Sequence, residues 1–251
     1  MKKTKILAIC SSAKKGNTYS VLNSIKENYP NIDFKILMLK DMNLERCLGC
    51  YSCIRLGEEN CPLKDDRDTI INEMLDSDGV IFASPVYVNS ASSLMKMFME
   101  RTGYEGHRPR FYDKFAMTIA VCGMFGAKET NQFMNDIFTS YGFDVVSSLE
   151  LQVATKTEKE TLYNHKLIVE AFDAFIDKIE KGERNPPPIG QLVRFNIFKL
   201  VSEHKPDYFK ADYQYYKDKS DLPYDGKISS VKKKLAYVQA GKMLKDFLKV
   251  R

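Results

Sequence analysis

Five short, nearly continuous apolar runs, separated by amphipathic segments, constrain the fold of this chain more than any other feature. The runs are KILAIC (5–10), FKILMLK (34–40), GVIFASP (79–85), KFAMTIAV (114–121) and FDVVSSLELQV (143–153). Between them lie helical patterns: one with Val21, Leu22 and Ile25, then DTIINEMLDSD (68–78), SASSLMKMFMER (90–101) and NQFMNDIFTSYG (131–142). A last helix from about Glu158 to Glu180 carries Leu162, Leu167, Ile168, Phe172, Phe175, Ile176 and Ile179 on one face. Strands that lack polar alternation and alternate with helices predict a parallel sheet buried on both faces. Five of them predict a doubly wound α/β fold of order 2-1-3-4-5, which binds ligands beyond the carboxyl ends of its strands.

Four loops are expected at that rim: SSAKKGNT after the first strand, a long cysteine loop after the second, SPVYVNS after the third and CGMFGA after the fourth. SSAKKGNT joins a strand to a helix and offers hydroxyls, backbone N–H groups and a positive helix end to an anion. It matches neither the Walker spacing nor G-x-G-x-x-G, which leaves a mononucleotide phosphate or an ordinary capped turn. The candidate donors are Ser11, Ser12, Asn17 and Thr18, with Gly16 in the turn and Lys14 as the charge. In the third loop Pro85 is expected to fix the turn. Val86, Tyr87 and Asn89 follow it, and the tyrosine and asparagine could meet a planar ring, the plain alternative being a surface turn. Gly123 opens the fourth loop.

The cysteine loop is the most specific motif. ERCLGCYSCIRLGEENCPLKDD (45–66) holds Cys47, Cys50, Cys53 and Cys61, four of the six cysteines, in the spacing C-x2-C-x2-C-x7-C. Such spacing echoes the four-cysteine ligand set of a 4Fe-4S cluster. Zinc sites more often use two separated pairs, and a Cys50/Cys53 dithiol would leave the other two unused. Cluster, metal-free thiols and zinc stay open in that order. Cys10 and Cys122 end apolar runs and read as small core residues.

These motifs, in this order, resemble the flavodoxin-like NAD(P)H-dependent FMN reductases and, more narrowly, the iron-sulfur flavoproteins. The resemblance spans about residues 4–180. It rests on Ser11-Ser12-Ala13-Lys14-Lys15-Gly16-Asn17-Thr18, on Pro85-Val86-Tyr87-Val88-Asn89, and on Cys47-Leu48-Gly49-Cys50-Tyr51-Ser52-Cys53 with Cys61 and Asp65-Asp66 downstream. Lys96 and Arg101 on the next helix belong to the same likeness. Lys14 stands where the family has arginine, so the phosphate would meet a point charge rather than a fork. The resemblance implies FMN, a neighbouring 4Fe-4S cluster on Cys47, Cys50, Cys53 and Cys61, NAD(P)H as a possible donor, and a homodimer or homotetramer with FMN near a subunit interface. It implies electron exchange with a small-molecule or protein partner and needs no catalytic acid or base. The alternatives are a cluster-free FMN or quinone reductase and a non-enzymatic flavin-binding redox sensor.

ERNPPPIG (183–190) cannot continue a helix, so the flavodoxin-like unit is expected over 1–183, with a mainly helical extension over 184–251. The extension carries 15 Lys and Arg against 7 Asp and Glu, or +8, which leaves −3 for the rest of a chain of net charge +5. It holds an amphipathic stretch with Phe195, Ile197, Phe198 and Leu200, an aromatic piece, DYFKADYQYYKDK, and a helix whose apolar face is read as Ile228, Val231, Leu235, Val238, Leu244 and Phe247. No nucleic-acid-binding module accompanies the lysines, so the extension is expected to pack on the core or a partner subunit. His107, His165 and His204 are too scattered in sequence to suggest a metal site. No apolar run reaches the length of a membrane helix and the amino terminus lacks a secretory pattern, so a cytoplasmic location is expected.

Overall fold

The computed structural model describes residues 3–155, 157–217, 219, 222, 224 and 228–249. Six strands are β1 (Lys5–Cys10), β2 (Asp33–Met38), β3 (Gly79–Tyr87), β4 (Ser90–Ala91), β5 (Phe115–Cys122) and β6 (Asp144–Gln152). Around them lie α1 (Asn17–Asn28), α2 (Ser52–Arg55), α3 (Arg67–Leu75), α4 (Ser93–Arg101), α5 (Ala127–Ser140) and α6 (Glu158–Lys181). The extension forms α7 (Ile189–His204), α8 (Lys210–Lys217) and α9 (Ser230–Lys249).

The five long strands are all parallel and stand in the order β2-β1-β3-β5-β6, which is the expected 2-1-3-4-5 once β4 is set aside. Alternate residues of each strand enter two separate cores. Leu7, Ile9, Val80 and Phe82 face α3, α4 and α5, where Ile70, Met95, Phe98, Met134 and Phe138 pack. Ile6, Ala8, Ile81 and Ala83 face α1 and α6, where Leu22, Ile25, Phe172 and Phe175 pack. Cys10 and Cys122 are buried in these two cores, and burial pushes both thiols up.

Three expectations are corrected. Pro85 makes no turn: it lies within β3 opposite Val121, and the chain reverses at Val88 and Asn89. Both of those residues have positive φ, so Ser90 and Ala91 pair back on Tyr87 and Val86 instead of opening the helix, which starts at Ser93. Leu162 is 65% exposed, so the buried face of α6 begins lower, with Ile168. On α9, Val231, Leu235 and Val238 are exposed, and the helix instead packs on α7 through Ala236 and Ala240, whose small side chains admit a close approach. The side chain of Phe247 lies outside the described residues.

A third, smaller core joins α7, α8 and α9 through Leu192, Phe195, Tyr216, Ala236 and Ala240, with Tyr112 of the sheet unit inserted among them. Gln191 Nε2 donates to Thr139 O at 2.7 Å, which ties α7 to α5. No helix among the described residues is long and apolar enough to cross a membrane.

Candidate functional site

Three loops meet at the carboxyl ends of β1, β3 and β5, held by buried serines. Ser11 N–H donates to Ala83 O at 2.9 Å and its hydroxyl to the same oxygen at 3.2 Å. Ser92 Oγ donates to Ser11 O at 2.9 Å and accepts from Met95 N–H, so the residue that caps α4 also fixes the first loop. Ser84 Oγ accepts from Ser92 N–H at 3.0 Å and completes the set. Ser11 therefore departs from the expectation: its hydroxyl is fully buried and engaged by the scaffold, not offered to an anion.

Of the rest of the first loop, Ala13, Lys14, Lys15 and Asn17 face solvent, whereas Ser12 and Thr18 are buried. Ser12 Oγ donates to Lys14 O at 2.7 Å and shapes the turn, while Lys14 is exposed and folds back over Gly16. Gly16 caps α1 without a side chain, and the helix carries no acidic residue in its first turn. Its first intrahelical bond runs from Ser20 N–H to Gly16 O, so the N–H groups of Asn17, Thr18 and Tyr19 lie ahead of it. An uncapped positive helix end beside a lysine suits a phosphate.

The third loop is a tight hairpin tip. Val88 has φ 51° and is 99% exposed, although the left-handed region costs a branched residue about 1–2 kcal/mol. Gly126 explains how this tip is held. At φ +90° it tolerates what an alanine would not, and a Cβ there would lie 3.0 Å from Asn89 Cα and from Val86 Cγ1. The fourth loop thus packs directly on the hairpin. Around this junction Tyr87, Val88, Met124 and Phe125 are all exposed. Gly123 is open, with no atom near a would-be Cβ.

The cysteine loop leaves the sheet at the same rim but is anchored elsewhere. Its base is closed by Asn43 N–H on Asp66 at 2.7 Å and Glu45 N–H on Asp65 at 2.9 Å. Asp65 is gripped by both faces of the Arg101 fork, at 3.0 and 2.9 Å, and the third Arg101 nitrogen donates to Cys61 Sγ at 3.3 Å. Arg101 lies eight residues beyond Ser93, so its backbone sits about 12 Å along α4 from the end that Ser92 caps. The Asp65 and Arg101 side chains are 1% and 3% exposed. Burial alone would raise the Asp65 carboxyl, but the bonds from Arg101, Glu45 and Arg67 outweigh it and hold it below its ordinary value. Lys96, by contrast, pairs with Glu100 at the surface.

A second arginine clasps the loop from the other side. Arg108 Nη2 donates to Cys53 O at 2.6 Å and to Glu58 at 2.9 Å, and its Nη1 bonds Ile54 O and Asp212. Asp212 belongs to α8 and also meets His107 Nδ1 at 2.9 Å. Arg55 of the loop lies over the Tyr208 ring at 4.5 Å. The extension thus contacts the cysteine loop, not only the sheet unit. Nothing in the local sequence signals this, because the pairing spans 104 residues.

Cys61 is buried, Cys53 partly so, and Cys47 and Cys50 are exposed. Burial and the neighbouring Cys61 sulfur push the Cys53 thiol up, while Ser52 holds the Cys50 thiol below its ordinary value. Among the described residues no three His, Cys, Asp or Glu side chains are grouped closely enough to hold a metal. The donor chemistry nevertheless suits an iron-sulfur cluster: four thiols on one loop, guanidinium groups beside two of them, and one buried Arg67 nitrogen, Nη1, with no hydrogen-bond partner.

Sheet order and converging loops define a flavodoxin-like protein. The fold is shared with RosB, at a TM-score of 0.56 and 13% identity, over 90% of this chain and 92% of that one. It is shared too with the NAD(P)H:quinone oxidoreductase from Methanothermobacter marburgensis, at a TM-score of 0.56 and 14% identity, over 68% and 95%. A family model for NADPH-dependent FMN reductase matches residues 4–158, and the chain belongs to that family. Similar relatives include an iron-sulfur flavoprotein of Archaeoglobus fulgidus, 27% identical over 228 residues, covering 86% of this chain and 98% of the relative. An iron-sulfur flavoprotein of Clostridioides difficile is 27% identical over 217 residues, covering 82% and 91%.

Proposed function

We propose that this FMN-dependent oxidoreductase carries a 4Fe-4S cluster on Cys47, Cys50, Cys53 and Cys61 and transfers electrons as a homodimer or homotetramer. Ser12, Lys14, Asn17, Thr18 and the open end of α1 would hold the FMN phosphate. Tyr87, Asn89 and the Gly123 loop would border the ring, with NAD(P)H as a possible donor. A flavin takes electrons in pairs and can release them singly, whereas a cluster passes one at a time. The chain's own part is to fix both groups and to keep the cysteine loop in place through Asp65, Arg101 and Arg108.

The observation that carries this reading is the buried Arg101 joining Asp65 to the Cys61 sulfur, which fixes a cationic hydrogen-bond donor beside one of the four candidate ligands. The exposed apolar group Tyr87, Val88, Met124 and Phe125 supports a subunit contact near the flavin loops. A second reading, a cluster-free FMN or quinone reductase, is favoured by the spread of the thiols. Anaerobic reconstitution followed by iron, sulfide and FMN assays separates the two. The expected content is about four iron and four sulfide for each FMN. FMN with neither iron nor sulfide selects the second reading, and no FMN at all removes both.

A further inference from the structure

Arg67 opens α3, directly after the cysteine loop, yet its side chain turns inward and is 3% exposed. Two of its three guanidinium nitrogens are engaged: Nε donates to Asp68 at 2.7 Å and Nη2 to Glu58 O at 2.9 Å. The plane lies over the Tyr104 ring at 5.3 Å, which fixes its orientation. Nη1 is buried and has no hydrogen-bond partner among the described residues. A buried cationic N–H without an acceptor is costly, and such groups are seldom left so. Glu58 O also accepts the Cys61 N–H at 3.1 Å, so the Arg67 guanidinium lies against the turn that carries the Cys61 thiol. Cys61 already accepts from Arg101, so one guanidinium donor to sulfur is present on this side of the loop.

We propose that Arg67, through its free Nη1, supplies sulfur of the cysteine-bound cluster with a second guanidinium donor in addition to that of Arg101. This role rests on the cluster reading above. A donor at cluster sulfur stabilises the reduced form, which carries one more negative charge, and so raises the reduction potential. The positive charge of Arg67 acts in the same direction.

The test is the cluster potential of anaerobically reconstituted protein, read by EPR-monitored redox titration, for wild type, Arg67→Met and Arg67→Lys. The expected result is a full iron complement in Arg67→Met with a reduced-to-oxidised ratio at fixed potential at least tenfold lower, which is 59 mV for a one-electron couple. An unchanged potential with full iron content would overturn the proposal. If Arg67→Met takes up no iron, Arg67→Lys decides, because it keeps the charge but not the fork. A ratio lowered about threefold supports the role, and an unchanged ratio refutes it. Wild type that binds FMN but no iron fails the cluster reading itself, a result visible before any variant is compared.

Discussion

Replacing Asp65 by alanine is expected to lower the melting temperature by roughly 10 °C and to prevent stable closure of the cysteine loop. The carboxylate neutralises Arg101 in a site from which water is excluded, and it also accepts the N–H groups of Glu45 and Arg67. Removing one member of a buried pair strands the other, at a cost of about 3–5 kcal/mol. In a domain of this size each kcal/mol shifts the midpoint by about 2–4 °C. Differential scanning calorimetry measures this, and a shift of under about 3 °C would show that Arg101 finds another partner. The pH dependence has a definite sign. Because the Asp65 carboxyl is held below its ordinary value, its contribution is present above the unfolded carboxylate range and is lost as pH falls through its lower folded value. Wild type should therefore lose stability below about pH 4, and Asp65→Ala should lose less over that interval.

The second large effect is expected from Asp212→Ala, which tests whether the extension supports the cysteine loop. Asp212 is buried against Arg108, and Arg108 in turn holds the carbonyls of Cys53 and Ile54. Without the carboxylate, Arg108 keeps Glu58 as its one anionic partner, and α8 loses its polar tie to the loop. A penalty of about 3 kcal/mol corresponds to roughly a 100-fold loss of amide protection. Hydrogen exchange should show that loss over α2 and α8 and leave β1, β3 and β5 unchanged. Unchanged protection over α2 would mean that the loop stands without the extension.

The sheet was legible because burial on both faces leaves an apolar signature in every strand, and the order of its parallel strands follows from connection rules. The candidate loops were legible for the same reason: they follow strand ends. Within them sequence reasoning erred where a side chain's partner lies on another strand. Ser11 reads as a phosphate donor until the β1–β3 pairing puts it on Ala83 and Ser92. The hairpin tip was missed because valine at positive φ contradicts its propensity, and Gly126, which packs on that tip, lies 37 residues from Asn89. Ser92 had a visible signal, a serine just before a helical run, that marks an N-cap. The arginine clasp had less. Arg101 and Asp65 stood out only through the family resemblance, while Arg67 and Arg108 look like surface charges in sequence, and only long-range packing buries Arg101 with Asp65 and Arg108 with Glu58 and Asp212. The exposed face of α9 follows from a similar competition, in which Ala236 and Ala240 win the contact because they allow the helices to approach.

In the proposed function one chain holds a two-electron group and a one-electron group together. Anaerobic reductive titration of the reconstituted protein tests this, with absorbance followed against added electron equivalents. About three equivalents per FMN are predicted, two for the flavin and one for the cluster. An endpoint at about two, with the loop cysteines intact and free, would contradict it.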